Sequence, residues 1–273
     1  MVPDFPQGDT PGAWRFTPGV PFAFAPDWGR VRPFGLTSAD QFAVPGPLAL
    51  TSSRYARDLN EVKALGGDGL TTASGRSADQ TEIALFWLES SPTMWNRVAR
   101  QLAVSHRLNG WQQAQLLGQL SVALADGYIA TFAKKYRELF WRPVTAIQQA
   151  DRDGNPGTQP DPTWTPLRTT PPIPDHDSGH AVEGGAGAGV LRAFFGTDRL
   201  RFAVCSDSLP DRACGSSDPR LRRFTSVTRA ARENAASRVY VGFHFRYATE
   251  VGTRHGLAIG TWAATHTLAT LPR

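Results

Sequence analysis

Beyond about residue 50, apolar positions recur at helical spacing along most of the chain, and the alternating pattern of a half-buried strand is nearly absent. Tyr55 to Leu65 carries the first helical stretch, followed by short ones over Thr81 to Phe86 and Met94 to Leu102. The longest stretch, Trp111 to Phe140, is rich in Ala, Leu and Gln. Gly179 to Phe195 predicts a helix that stops at Gly196, a residue suited to the left-handed conformation of a helix end. Two more helices are predicted over about 225–240 and 245–269. Between these lie a proline-rich loop, 151–174, and a polar loop, 203–224. Residues 1–50 are rich in Pro, Gly and aromatics and lack periodicity, which predicts an extended N-terminal arm lying over the core. The pattern predicts an all-α fold: one domain over 1–273, with a helical bundle core, long connecting loops and the arm packed on it.

Composition narrows this only a little. A chain of 273 residues, 41% hydrophobic and 19% charged, is ordinary for a globular protein with one large core. The net charge is +5, but the arginines are scattered, so nucleic acid is not expected as a partner. No run of 18 apolar residues is present, and no membrane span is expected. The opening MVPDFPQGDTPGAW lacks the basic and apolar regions of a signal peptide, and a leader already removed stays open. Cys205 and Cys214 lie nine positions apart in the polar loop. A disulfide there would suit a periplasmic or secreted protein, and two free thiols of a cytosolic protein fit the spacing as well. A homo-oligomer is equally open.

Three segments carry candidate chemistry. Lys135 and Arg142 lie seven apart on a helical stretch, two turns on one face, and Pro143 should end or bend that helix. Two cations on one face favour an anion between them, although Lys134 and Arg137 also fit a solvated basic face. Asp177-Ser178-Gly179-His180 then opens a helix, where free backbone N–H groups and the positive dipole end favour an anion. Ser178 adds a donor or serves as an ordinary N-cap, Gly179 permits close approach, and His180 can exchange a proton. Lastly, Arg238 and His244 are six apart, with Gly242 able to break the helix between them so that His244 opens the next one. Taken together, three cations, a hydroxyl, a helix N-terminus and two histidines describe a site for a tetrahedral oxyanion.

In order and spacing the segments resemble the signature of the vanadium haloperoxidase and type 2 phosphatidic acid phosphatase superfamily. Lys135-YRELFW-Arg142-Pro143 resembles its first element, Asp177-Ser178-Gly179-His180 its second, and Ser237-Arg238-VYVGF-His244 its third. QTEIALFWLESSP (80–92), FWRPVTAI (140–147), DRDGNP (151–156) and TPPIPDHDSGH (170–180) are similar to the soluble bacterial haloperoxidase-like branch. The resemblance implies a vanadate cofactor, a site that phosphate can also occupy, and oxidation of halide by hydrogen peroxide. It implies a bond from His244 to vanadium, oxygens held by Lys135, Arg142, Ser178, Gly179 and Arg238, and an acid/base role for His180 with Glu89 as its partner. Its alternative is an acid phosphatase acting on phosphate esters through a phosphohistidine at His244, or a non-catalytic oxyanion binder. The two chemistries share a site because five-coordinate vanadate resembles a phosphoryl-transfer transition state.

The chain departs from that pattern at three places. Asp177 stands where the second element has proline, so a carboxylate there either repels the anion or orients a histidine. Ala248 stands where the third element ends in a carboxylate, which argues against efficient phosphatase action. The aromatic pair of chloride-oxidising members falls at Phe132 and Ile173, and Ile173 is not aromatic. Asp151-x-Asp153-x-Asn155 begins like a calcium loop but fails at Pro156 and Pro162, and His176-x-x-x-His180 sits on no predicted helix that could present it to zinc.

Overall fold

The computed structural model describes residues 1–268. Eight α-helices are present among them: α1 (Ser53–Leu65), α2 (Ala78–Phe86), α3 (Ser91–Ser105), α4 (Gly110–Glu138), α5 (Pro143–Gln148), α6 (Gly179–Phe195), α7 (Val227–Tyr240) and α8 (Arg246–His266). Their starts follow local chemistry. Ser77 with Gln80 and Asn109 with Gln112 form reciprocal capping boxes at α2 and α4, and Ser52 and Ser226 accept backbone N–H bonds at α1 and α7. The chain is all-α with a bundle at its centre. The 203–224 loop adds one short antiparallel pair, β1 (Phe202–Val204) with β2 (Arg222–Phe224), which the sequence pattern did not predict. The last predicted helix ends at His266, and residue 269 of that expectation lies outside the described residues.

The centre of the bundle is α6, which packs against α3, α4, α7 and α8. Its sequence explains this, because small and apolar residues surround it on every side and twelve of its seventeen residues are buried. Glycine brings α6 and α8 nearly into backbone contact. A Cβ at Gly256 would lie 1.8 Å from the Val182 carbonyl oxygen, and one at Gly185 would lie 2.3 Å from that of Thr253. Gly184, Gly185, Gly187 and Gly189 of α6 are therefore close-packing positions. The long helix α4 runs along α3, α6 and α8. By length and composition alone it could cross a membrane, but it is largely buried in the bundle and carries Asp126, Lys134 and Lys135 inside.

The arm is tied to this core by hydrogen bonds. Asp126 on α4 accepts from the N–H groups of Phe34, Gly35 and Leu36 at 2.7, 2.7 and 2.9 Å. Trp14 N–H donates to Leu139, and Phe24 N–H donates to Pro172. The last bond places Phe24 beside the proline-rich loop, at the mouth of the cavity described next.

Candidate oxyanion site

Lys135 and Arg142 do not share one helix. The helix α4 stops at Glu138, Leu139 turns the chain with φ +45°, and Arg142 becomes the N-cap of α5, whose first residue is Pro143. Proline starts a helix here rather than ending one, since its missing N–H costs nothing in a first turn. The turn still brings the two cations together. Lys135 is fully enclosed and donates to the carbonyls of Pro174 and Asp175, both at 2.8 Å. Burial first, and then Arg142, lower its pKa to about 7. Arg142 donates through Nε to Ile173 O (2.6 Å) and through Nη1 to Phe243 O (2.9 Å). Its Nη2 is buried with no partner among the described residues.

Ser178 is the N-cap residue of α6, yet its side chain makes no cap bond, and its Oγ is buried and unpartnered. A Cβ on Gly179 would meet nothing closer than Thr131 Cγ2 at 4.0 Å, so the helix opens onto free space there. His180 Nε2 is also buried and unpartnered. Glu89 does not pair with His180 through its carboxylate. Arg97 holds one carboxylate oxygen of Glu89 at 2.8 Å, a bond reinforced by Asp207 N–H, and only the Glu89 backbone carbonyl turns to the His180 ring. The Glu89 side chain is buried beside Arg97, which it shares with Asp207, and its second carboxylate oxygen has no partner among the described residues. Asp177 turns away from the cavity. It accepts from Thr131 Oγ1 at 2.5 Å and lies 2.9 Å from His255 Nδ1, joining α4 and α8 behind the start of α6. Burial alone would raise its pKa, but His255 and Thr131 outweigh this and hold it below the usual carboxylate range. Asp177 does orient a histidine, and that histidine is His255.

The helix α7 ends at Tyr240, and Gly242 (φ +83°) reverses the chain. His244 lies in this turn and not at the head of α8, because its N–H and that of Phe243 both donate back to Arg238 O. The same turn binds Arg238 to His244, and Arg238 reaches Ser237 Oγ (3.0 Å) and Trp87 O (2.8 Å). Arg142 Nη1 lies 3.0 Å from His244 Nε2 and 3.4 Å from Nδ1. Asp175 Oδ1 lies 2.8 Å from Nδ1, off the line of an ideal hydrogen bond.

Arg142, Gly179, His180, Arg238 and His244 line one cavity of about 520 Å³. Lys135 and Ser178 stand behind this lining. Beyond these residues the walls are mostly apolar, formed by Phe24, Leu88, Tyr128, Phe132, Pro171, Pro172, Ile173 and Phe243, with the exposed Arg168 and Thr169 completing them. Burial and the neighbouring cations hold both His180 and His244 well below the ordinary imidazole value, so both are neutral near pH 7. Burial and Arg142 lower Arg238 to about 9, while burial lowers Arg142 itself to about 10. Three buried polar atoms have no partner among the described residues: Ser178 Oγ and His180 Nε2 at the start of α6, and Arg142 Nη2 from a segment more than 30 residues earlier. Such groups are costly unless something satisfies them, and an oxyanion fits what they offer.

Sequence reasoning missed four residues here. Asp175 and His255 lie within or opposite the DHDSGH stretch, but nothing in their spacing points to a partner. Tyr128 lines the cavity, and Glu183 is enclosed behind it. Burial raises Glu183 to about 8, a shift moderated by Ser91 and Tyr128.

Residues 115–271 match the family model of the VCPO second helical-bundle domain, more than half of the chain. The chain belongs to the vanadium chloroperoxidase family. It is 25% identical to the vanadium chloroperoxidase of Curvularia inaequalis over 84% of its length, and spans about half (47%) of that protein. Among solved structures it is similar to the first bacterial vanadium-dependent iodoperoxidase, with a TM-score of 0.78 and 32% identity over 96% of this chain and 63% of that one. A bacterial vanadium-dependent chloroperoxidase shares the fold, with a TM-score of 0.73 and 17% identity over 95% and 62% of the two chains.

Asp177 is consumed by Thr131 and His255, Ile173 and Phe132 both reach the cavity wall, and the space beside Ala248 is bordered by Asp175.

Proposed function

We propose that the protein is a vanadate-dependent haloperoxidase, with His244 as the vanadium ligand and hydrogen peroxide and a halide as substrates. The observation that carries this reading is the pair of buried, unpartnered donors, Arg142 Nη2 and Ser178 Oγ, at the wall of one cavity lined by two neutral histidines. Bound vanadate would supply the Lewis-acidic centre that activates peroxide toward a halide. Lys135, Arg142 and Arg238 would balance the charge of its oxygens, joined by Ser178 Oγ and the Gly179 N–H at the positive end of α6. A neutral His244 has a free ring lone pair to offer a metal, which a protonated ring lacks. His180, neutral and with a free Nε2, can take a proton from a bound hydroxylic group and return it. The largely apolar walls lower the local polarity around a bound anion, which strengthens each of these charge contacts. Reconstitution with orthovanadate followed by an assay of bromide and iodide oxidation tests the reading.

One observation favours a second reading. Phosphatase chemistry needs a carboxylate to hold its nucleophilic histidine, and Asp175 stands 2.8 Å from His244 where Ala248 offers none. Turnover of a phosphate ester by the vanadate-free protein would support it, and anion binding with neither activity would mark a non-catalytic binder. The Cys205–Cys214 disulfide fits a periplasmic or extracellular compartment.

A further inference from the structure

Asp175 was not among the expected site residues, yet its surroundings give it one evident neighbour. Its backbone is pinned on both sides: its N–H donates to Phe140 O at 2.9 Å, and its carbonyl, with that of Pro174, accepts from Lys135. The carboxylate is enclosed, and neither oxygen has a well-aligned hydrogen-bond partner. Its nearest cation, Arg142 Nη1, is 3.9 Å away, whereas His244 Nδ1 is 2.8 Å away. A small rotation of the ring or the carboxylate would bring N–H and oxygen into line, and catalytic hydrogen bonds are commonly misaligned before a ligand arrives.

The other side of the ring points to the same proton placement. Arg142 has only donors to offer, and its Nη1 lies closer to Nε2 than to Nδ1. A lone pair on Nε2 and a proton on Nδ1 satisfy both neighbours. The opposite tautomer would set an N–H against a guanidinium and a lone pair against a carboxylate. Space tells the same story. Asp175 and Ala248 line one residual void of only about 10 Å³, so the methyl group at 248 leaves room beside the carboxylate at 175.

We propose that Asp175 is the positioning residue of His244: its carboxylate holds the proton on Nδ1 and so keeps the Nε2 lone pair available to the atom at the centre of a bound oxyanion. This rests on His244 being the ligand or nucleophile, as in the function proposed above. A residue that merely neutralised Lys135 and Arg142 would not fix the tautomer.

The test is nitrogen-15 NMR of histidine-labelled protein without any anion, paired with calorimetry of orthovanadate. The wild-type protein should show His244 protonated on Nδ1. Asp175→Leu, which keeps the volume and removes the acceptor, should move the proton to Nε2 and lower vanadate affinity about 10–100-fold, as for other residues that orient a ligating histidine. Asp175→Ala combined with Ala248→Asp should restore both the tautomer and the affinity, because the carboxylate returns to the same void from the other wall. The proposal is overturned if wild-type His244 carries its proton on Nε2, or if Asp175→Leu leaves the tautomer unchanged even while affinity falls. It is also overturned if the folded double variant recovers neither property. Because the tautomer is read on the empty protein, this result is independent of whether vanadate or halide chemistry follows.

Discussion

Arg142 Nη1 lies 3.0 Å from His244 Nε2, while Nη2 of the same guanidinium is buried with no partner among the described residues. Arg142 thus joins the two ends of the site with one donor still uncommitted. Replacing Arg142 or Arg238 with Ala should weaken phosphate or vanadate binding by about 2–5 kcal/mol, the usual loss when a buried charged partner is removed. Calorimetry checks this, and unchanged affinity in both variants would remove the cavity from the account.

A pH dependence follows from Lys135, whose pKa burial and then Arg142 lower to about 7 before any anion arrives. Above that pH Lys135 loses its charge, which disfavours an anion. Below it the cation is in place. Sulfate keeps its charge across this range, so its affinity should be flat at acid pH, fall as pH rises through about 7, and be accompanied by proton uptake on the basic side. Affinity that rises with pH there would contradict the assigned charge states.

Much of the site was legible because its residue types are unusual in their places. Two cations before a proline, a Ser-Gly-His at a helix start and an Arg six residues before a His each have a physical reason to be noticed. Helix periodicity likewise located α1, α4, α6 and α7 to within a few residues. What stayed hidden depended on contacts between distant segments. No local pattern tells that Asp177 faces Thr131 and His255, that Asp175 faces His244, or that Glu89 is taken by Arg97. The helix break at Leu139 was missed because Lys135 to Phe140 has helical composition, and only the left-handed turn separates Arg142 from α4. The β1–β2 pair is three residues per strand, too short for an alternating pattern to register.

The close approach of α6 and α8 makes a stability prediction. A methyl group at Gly256 would fall 1.8 Å from the Val182 carbonyl oxygen, and the obstacle is backbone rather than a movable side chain. Gly256→Ala should destabilise the protein by about 3 kcal/mol or more, at the upper end of overpacking costs. Denaturant unfolding measures it, and a loss below about 1 kcal/mol would mean the two helices can separate freely.

The Cys205–Cys214 bond closes a loop of sequence separation 9. By loop entropy it should contribute about 2–3 kcal/mol, so Cys205→Ser with Cys214→Ser should lower stability by that amount. The bond lies far from the cavity lining in sequence and shares no residue with it. Anion affinity should therefore be unchanged in the same variant.

The two histidines have separable roles. His180→Ala should keep much of the vanadate affinity, since the cations and the start of α6 remain, while losing on the order of 10²–10⁴-fold in rate. His244→Ala should lose both. Equal losses of binding in the two variants would collapse the distinction between ligand and acid/base.

The most direct measurement adds orthovanadate stepwise to the vanadate-free protein and follows peroxide-dependent bromide and iodide oxidation beside hydrolysis of a phosphate ester. The account predicts that halide oxidation appears in proportion to bound vanadate, saturates at one equivalent per chain, and is abolished in His244→Ala. Tight vanadate binding with no oxidation of either halide, together with turnover of the phosphate ester before vanadate is added, would contradict it.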